Sequence, residues 1–177
     1  MDVLLPAAVF LVSSGWVLES GGPDLIESYV AFDAAPALAS YMSNHSTPAN
    51  RIAVFGSEPE IYFYAHRHAA TGYIYMYDIT SPAAHAGEMK REMLREVEAA
   101  RPEFVVDVHE QFSWSVGFSP ETQGIYKRLE QYLKSGNYRR VAVAENIAGE
   151  IVYRWNSDAA DYSPASGSYI CVYQRKL

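Results

Sequence analysis

Short apolar runs alternate with amphipathic helical segments along most of the chain, and this alternation constrains the fold more than any other feature. Strands are predicted at 51–56, 72–77, 104–109, 139–145, 150–155 and 168–175, and helices at 33–44, from 57 onward, at 88–100 and at 121–134. Strands joined through helices by short connections form βαβ units, which imply parallel pairing. The last strands follow one another without helices and are expected to be antiparallel. We therefore expect a single α/β domain over 21–177, with a mostly parallel Rossmann-like sheet flanked by helices and antiparallel C-terminal strands.

Two of these segments have particularly regular patterns. In the run 72–77, tyrosines alternate with Ile74 and Met76, which is the two-residue period of a strand. In the segment 88–100, Met89, Met93 and Val97 recur at helical spacing, with charged residues elsewhere around the helix. The first pattern predicts a strand and the second a helix.

The charge and the single cysteine exclude several function classes. Lys and Arg together number 14 against 21 Asp and Glu, a formal net charge of -7, so a broad basic surface for nucleic acid is missing. One cysteine, Cys171, cannot form an internal disulfide or a thiolate cluster for zinc. Stability must then come from a packed core.

The N-terminal residues 1–20 form an apolar leader. The run from Val3 to Leu18 has no charge but is shorter than the ~20 residues of a membrane-spanning helix. It also lacks the basic start of a signal peptide, since Asp2 follows Met1 and the first positive charge is Arg51. Two interpretations stay open, a buried element of the domain or the stub of a membrane segment.

Polar residues follow several of the predicted strands. In open α/β sheets, ligands bind beyond the carboxyl ends of the strands. Ser57 and Glu58 follow the first strand, Asp78 the second, and His109 with Glu110 ends the third. Two carboxylates and an imidazole at one rim could perform general acid–base chemistry.

Ser57 and Glu58 also have a purely structural interpretation, which we favour. Ser57 is suited to cap a helix that has Pro59 in its first turn and Glu60 three residues after the cap. The elbow has one glycine, Gly56, so it matches neither a dinucleotide fingerprint nor a phosphate-binding loop.

The histidines give little support for a metal site. His66 and His68 share a face only in an extended segment, and no third ligand is indicated by spacing. Asp107 and His109 lie on the same face of their strand, which permits a carboxylate-oriented imidazole, but no nucleophile is identified for a hydrolytic triad. No cofactor, metal ligand or catalytic residue is therefore assigned.

Aromatic residues are unusually frequent, with 14 Tyr, 7 Phe and 3 Trp. Tyrosine combines an apolar body with a polar tip, which suits a core rim, a membrane interface or a sugar-stacking platform. A core with hydroxyls bonded at the sheet edges is the simpler interpretation. The candidate ligand-binding residues are Ser57, Glu58, Tyr62, Tyr75, Asp78, His109, Glu110 and Trp114.

Several longer strings resemble a known family. They are RIAVFGSEPEIYFY at 51–64, ATGYIY at 70–75, MKREMLREVEAARPEF at 89–104, SW at 113–114, YRWNSD at 153–158 and YSP at 162–164. Together they are similar to the soluble C-terminal extracytoplasmic domain of bacterial polytopic membrane glycosyltransferases of the protein-mannosyltransferase and aminoarabinose-transferase type. The resemblance covers about 33–177.

In that family, the acidic catalytic residues and the site for a lipid-phosphate-linked sugar belong to a preceding membrane portion. The resemblance therefore implies a non-catalytic accessory domain on the periplasmic face, soluble when isolated. Its implied partners are a membrane glycosyltransferase core, in cis or in trans, and a glycan or lipid-linked sugar, and the apolar leader also allows a homodimer. The alternative is an independent small α/β enzyme with acid–base residues at the C-terminal rim of the sheet.

Overall fold

The computed structural model describes residues 34–110, 113–114 and 120–176, so the apolar leader and Asp33, the first residue of the predicted helix at 33–44, lie outside the described residues. In chain order, the described elements are α1 (Ala35–Asn44), β1 (Arg51–Phe55), α2 (Glu60–Ala65), β2 (His68–Ala69), α3 (Tyr77–Thr80), α4 (Ala86–Ala100), β3 (Phe104–His109), α5 (Pro120–Ser135), β4 (Tyr138–Ile147), β5 (Glu150–Trp155), α6 (Ser157–Ala160) and β6 (Tyr169–Arg175).

The six described strands form one mixed sheet in the order β2-β1-β3-β6-β4-β5. β1 is parallel to β2 and β3, whereas β6 is antiparallel to both β3 and β4, and β4 is antiparallel to β5. The α/β class and the antiparallel C-terminal strands are confirmed, but a mostly parallel Rossmann-like sheet is not. The sheet is mixed because β6 lies between β3 and β4. These two strands run in the same direction, but each is paired with β6 in an antiparallel ladder instead of with the other.

Helices cover both faces of the sheet. On one face, α1 and α2 pack through Leu38 and Ile61 against alternate residues of β3, which include Val106. On the other face, Val105 packs with α4 and α5 through Met93 and other apolar residues. Because β3 is buried on both faces, its sequence is a nearly continuous apolar run instead of an alternating one.

The predicted strand at 72–77 is wrong. The chain leaves β2 after Ala69, has no regular structure over 73–76, and begins α3 at Tyr77. A tyrosine hydroxyl and a backbone N–H of this segment hydrogen-bond to carboxylates of α4 instead of pairing in the sheet. Tyr73 Oη donates to Glu92 Oε2 at 2.6 Å, and Gly72 N–H donates to Glu96 Oε2 at 2.9 Å.

The predicted helices at 88–100 and 121–134 are confirmed as α4 and α5. Helix α4 ends at Arg101, which has a left-handed backbone with φ of 45° and donates its N–H to Val97 O. The strand predicted at 139–145 is present as β4, which extends two residues further to Ile147. Ala148 and Gly149 then have φ of 54° and 87°, which matches the tight hairpin turns that favour glycine.

Candidate functional site

At the carboxyl ends of β1 and β3, the side chain of Glu58 folds back toward Gly56 and lies close to the end of the sheet. Gly56 makes this approach possible, because a Cβ at that position would lie 2.6 Å from Val108 Cγ2 and would collide with the Glu58 carboxylate. Ser113 Oγ donates to Glu58 Oε2 at 2.9 Å and accepts the Ser57 N–H at 2.8 Å. A short hydrogen-bond chain therefore links the end of β1 to the segment that follows β3.

The predicted helix cap at Ser57 is wrong. Helix α2 begins at Glu60, its N-cap position is Pro59, and no side chain caps it. Ser57 Oγ instead accepts the backbone N–H of Met76 at 3.0 Å. Helix α2 starts two residues later than the capping pattern implied, so the Ser57 hydroxyl lies outside its first turn. The hydroxyl is therefore available for this contact with a residue 19 positions away in sequence.

Glu58 has the most perturbed electrostatics of the predicted candidates at the rim. Burial raises the pKa of its carboxyl to about 8, and the negative charges of Glu60 and Glu110 act in the same direction. The hydrogen bond from Ser113 opposes this shift without cancelling it. A carboxyl with such a pKa carries a proton near neutral pH and can give or take it there.

Glu110 closes the rim on the other side of β3. Its Oε2 accepts a hydrogen bond from Ser168 Oγ, in the segment just before β6. Glu110 is therefore tied to the chain by a side chain 58 positions away in sequence. Together with Glu58, it places two carboxyl groups at this edge of the sheet, and the charge of Glu110 helps to raise the pKa of Glu58.

His109 is held as a carboxylate-oriented imidazole. Its Nε2 lies 3.0 Å from Asp107 Oδ2, and this contact favours the tautomer in which Nε2 carries the proton. The ring is stacked between Tyr126, at 4.5 Å between centroids, and Tyr169, at 4.4 Å. The pair that the i, i+2 spacing permits is thus present, and its ring is fixed from both sides.

Trp114 packs against Tyr126, beside the Asp107–His109 pair, and its contacts are with the protein core. Its Nε1 donates to Val108 O at 3.1 Å, and the same carbonyl accepts Tyr126 Oη at 2.6 Å. The indole is 2% exposed, so it supports the rim from below and has little surface for a ligand.

The other three candidate residues, Tyr62, Tyr75 and Asp78, make no described hydrogen bond to Glu58, His109 or Glu110. Tyr62 is buried and its Oη accepts the Val54 N–H at 2.9 Å, and burial raises the pKa of its hydroxyl. Tyr75 is 47% exposed and its ring contacts Tyr77 edge-on. Asp78 is exposed on α3, and among the described contacts no hydrogen bond or ion pair joins it to Glu58 or His109.

Four exposed apolar side chains flank β2, an edge strand of the sheet, in sequence. They are Phe63, 71% exposed, Tyr64, 45%, Ile74, 42%, and Tyr75, 47%. We call these four residues the β2-edge surface. Phe63 and Tyr64 contact each other with ring centroids 5.5 Å apart. Phe63 and Tyr64 are therefore neighbours in space, and exposed aromatics that lie together are typical of interaction surfaces.

Sequence reasoning missed Ser113, Tyr126, Ser168 and Tyr169. Tyr169 is opposite His109 in the β3–β6 ladder, so only the position of β6 in the sheet reveals it. Ser113 and Ser168 reach the two glutamates from distant segments, and no local spacing signals either contact.

Comparison of this chain with family models, with curated proteins and with solved structures finds no match. Within the described part of the chain, no cluster of three or more His, Cys, Asp and Glu is arranged to hold a metal ion. Nor does any helix in those residues combine the length and the hydrophobicity needed to cross a bilayer.

Proposed function

We propose that this chain is a non-catalytic, extracytoplasmic accessory domain of a membrane glycosyltransferase that uses a lipid-phosphate-linked sugar donor. In this role the domain packs on the membrane-embedded core on the periplasmic side, or helps to hold the acceptor or the donor. The observation that carries the proposal is the β2-edge surface. The sequence resemblance over 33–177 supports the choice of partner.

The physical argument begins with the cost of leaving aromatics in water. Removing a large apolar side chain from water is worth roughly 1.5–3 kcal/mol, and Phe63 leaves most of its surface exposed. A partner or a lipid surface that covers Phe63 and Tyr75 would recover part of this energy. Tyr64 and Tyr75 add hydroxyls that suit the boundary between an apolar and an aqueous phase.

The net charge of the chain limits how it can attach to a membrane or to a membrane protein. At -7 the chain offers no electrostatic attraction to anionic lipids. Attachment to a membrane or to a membrane protein must therefore depend on apolar burial. This predicts binding that is insensitive to salt, in contrast to a polybasic anchor.

Vesicle retention tests the proposal. The full chain is incubated with phosphatidylcholine vesicles, with and without polyprenyl phosphate, and compared with a Phe63→Ser, Tyr75→Ser double variant. Ile147→Ser is the matched control, since Ile147 is 40% exposed at the hairpin on the opposite edge of the sheet. We expect the wild type and the control to be retained and the double variant to be lost. Equal retention of all three, or of none, would contradict the proposal.

A second candidate, an independent acid–base enzyme, is favoured by the proton held on Glu58 and by the His109–Asp107 pair. It requires convergent groups at the rim, and Asp78 is not one of them. An assay for sugar transfer from a polyprenyl-phosphate sugar distinguishes the accessory-domain function from the enzymatic one. We expect no turnover by this chain, whereas turnover that Glu58→Gln abolishes would establish the second candidate.

A further inference from the structure

A cavity of about 370 Å³ lies on the sheet face that α5 covers. Asp107 and His109 of β3 and Tyr173 of β6 form one side of it, and residues of α5 form the other. It is separate from the β2-edge surface, because β1 lies between β2 and β3 in the sheet. The proposed function makes no use of it.

Asp107 has an unmet hydrogen-bonding requirement at this cavity. The residue is 7% exposed, and its Oδ2 is engaged by His109. Its Oδ1 is buried and has no hydrogen-bond partner among the described residues. A buried carboxylate oxygen without a donor is costly, so such an atom is a marker for a missing partner.

The charge of Asp107 is also incompletely balanced. Among the described ion pairs, His109 is the partner of Asp107. Lys127 of α5 also lines the cavity, but it is exposed and no described ion pair joins it to Asp107. Arg140, the guanidinium on the neighbouring part of the sheet, donates to the carbonyls of Ala159 and Ala160. A cationic hydrogen-bond donor would satisfy both the orphan oxygen and the charge.

The walls of the cavity suit the rest of such a ligand. Leu133 of α5 is partly buried and offers an apolar surface for a short hydrocarbon stem, whereas Leu129 is 1% exposed and adds little surface. The rings of Tyr126 and Tyr173 are also part of the lining, and aromatic faces attract cations. Glu130, the other acid of the lining, is already bonded to Lys134 at 2.7 Å.

We propose that this cavity binds a primary ammonium group carried on a short aliphatic stem. The ammonium donates a hydrogen bond to Asp107 Oδ1, and the stem lies along Leu133. A free amine and the amine of a lipid headgroup share this chemistry.

The test compares three probes on the full chain: n-butylamine, its neutral isostere n-butanol, and tetramethylammonium, which has charge but no donor. Binding is followed by calorimetry and by the imidazole resonances of His109. We expect saturable binding of n-butylamine and much weaker binding of the other two. Asp107→Asn should weaken n-butylamine binding by about tenfold or more, the scale of a lost hydrogen bond between charged groups.

Two further variants keep the proposal falsifiable if Asp107→Asn folds poorly. Leu133→Trp fills the cavity and leaves Asp107 in place, and it should also abolish n-butylamine binding. Glu98→Gln, at an exposed position of α4 outside this lining, is the matched control and should bind n-butylamine as the wild type does. Equal binding of n-butanol, loss of binding in the control, or binding that survives both Asp107→Asn and Leu133→Trp would overturn the proposal. Comparison of free ethanolamine with phosphatidylethanolamine vesicles then distinguishes the two sources of the amine.

Discussion

The proton on Glu58 makes the stability of this protein depend on pH. Burial raises the pKa of the folded carboxyl to about 8, from an ordinary value of 4.5. The unfolded chain therefore loses the proton first, so the stabilising contribution is complete below about pH 4.5 and is lost as pH rises toward 8. Glu58→Gln mimics the protonated form and should remove this dependence.

Chemical denaturation at pH 5 and pH 8 measures the effect. We expect the wild type to lose on the order of 2 kcal/mol more than Glu58→Gln over this interval, since each pKa unit corresponds to about 1.4 kcal/mol and part of the carboxyl remains hydrated. Glu150→Gln is the control, because Glu150 is exposed on β5 and is not among the charges that act on Glu58. Parallel pH profiles for the wild type and Glu58→Gln would show that the carboxyl ionises normally.

Ser57 gives a second prediction at the residue scale. Its hydroxyl accepts the Met76 N–H, so Ser57→Ala should destabilise the fold by about 1 kcal/mol through that lost hydrogen bond. Faster hydrogen exchange of the Met76 amide is the specific readout. A capping serine would leave that amide unaffected, and Ser57→Asp would then restore stability. We expect Ser57→Asp to destabilise further, because it adds a negative charge beside Glu58.

Sequence reasoning located part of the site for a definite reason. Glu58, His109 and Glu110 were found because the ends of adjacent parallel strands meet at one edge. The partners that give them their properties, Ser113 and Tyr169, come from segments whose position depends on tertiary packing. The candidate positions were therefore predictable, whereas the electrostatics of Glu58 were not.

At the scale of elements, the segment 72–77 shows the limit of periodicity. Alternation of tyrosine with isoleucine and methionine describes an amphipathic extended chain but does not specify what covers it. Here the tyrosine and threonine hydroxyls bind carboxylates of α4, with Thr71 Oγ1 at 2.6 Å from Glu96 Oε2. The helix α4 itself was predictable, because its apolar stripe repeats over four turns.

The segment between α6 and β6 is anchored by one buried carboxylate. Glu145 accepts hydrogen bonds from Tyr162 Oη and from the backbone N–H groups of Ala165 and Ser166. Burial acts to raise the pKa of Glu145, but these hydrogen bonds outweigh it and hold the pKa below its ordinary value. The stabilisation is therefore present at neutral pH and is lost as pH falls through the folded pKa.

Glu145→Gln should destabilise the protein at pH 7 by on the order of 2 kcal/mol, since it weakens several charge-assisted hydrogen bonds at once. The difference from the wild type should shrink as pH is lowered below 4.5, the ordinary pKa of the group. Glu150→Gln, at an exposed position of β5, is the control. A difference that stays constant with pH would mean that Glu145 acts by packing and not by charge.

For the whole molecule, the alternation of helices and strands fixed the α/β class but not the order of strands. A buried strand has the same apolar pattern whichever neighbours it pairs with, so nothing local reveals that β6 enters between β3 and β4. The pairing of Val106 with Val172 joins positions far apart in sequence. This placement also ties Arg175 to Glu103 at 3.1 Å, next to the start of β3.

The central place of β6 predicts how the chain responds to truncation. Without β6, β3 and β4 lose their common partner, and the sheet splits into β2-β1-β3 and β4-β5. Each part would expose unpaired backbone groups and an apolar face, and a two-stranded hairpin is at best marginally stable alone. Deleting 169–177 should therefore abolish the cooperative unfolding transition seen by circular dichroism. Deleting Leu177 alone is the control and should leave the transition unchanged. A truncated chain that still unfolds cooperatively would mean that the two parts of the sheet are independent units, and that β6 joins them without being required by either.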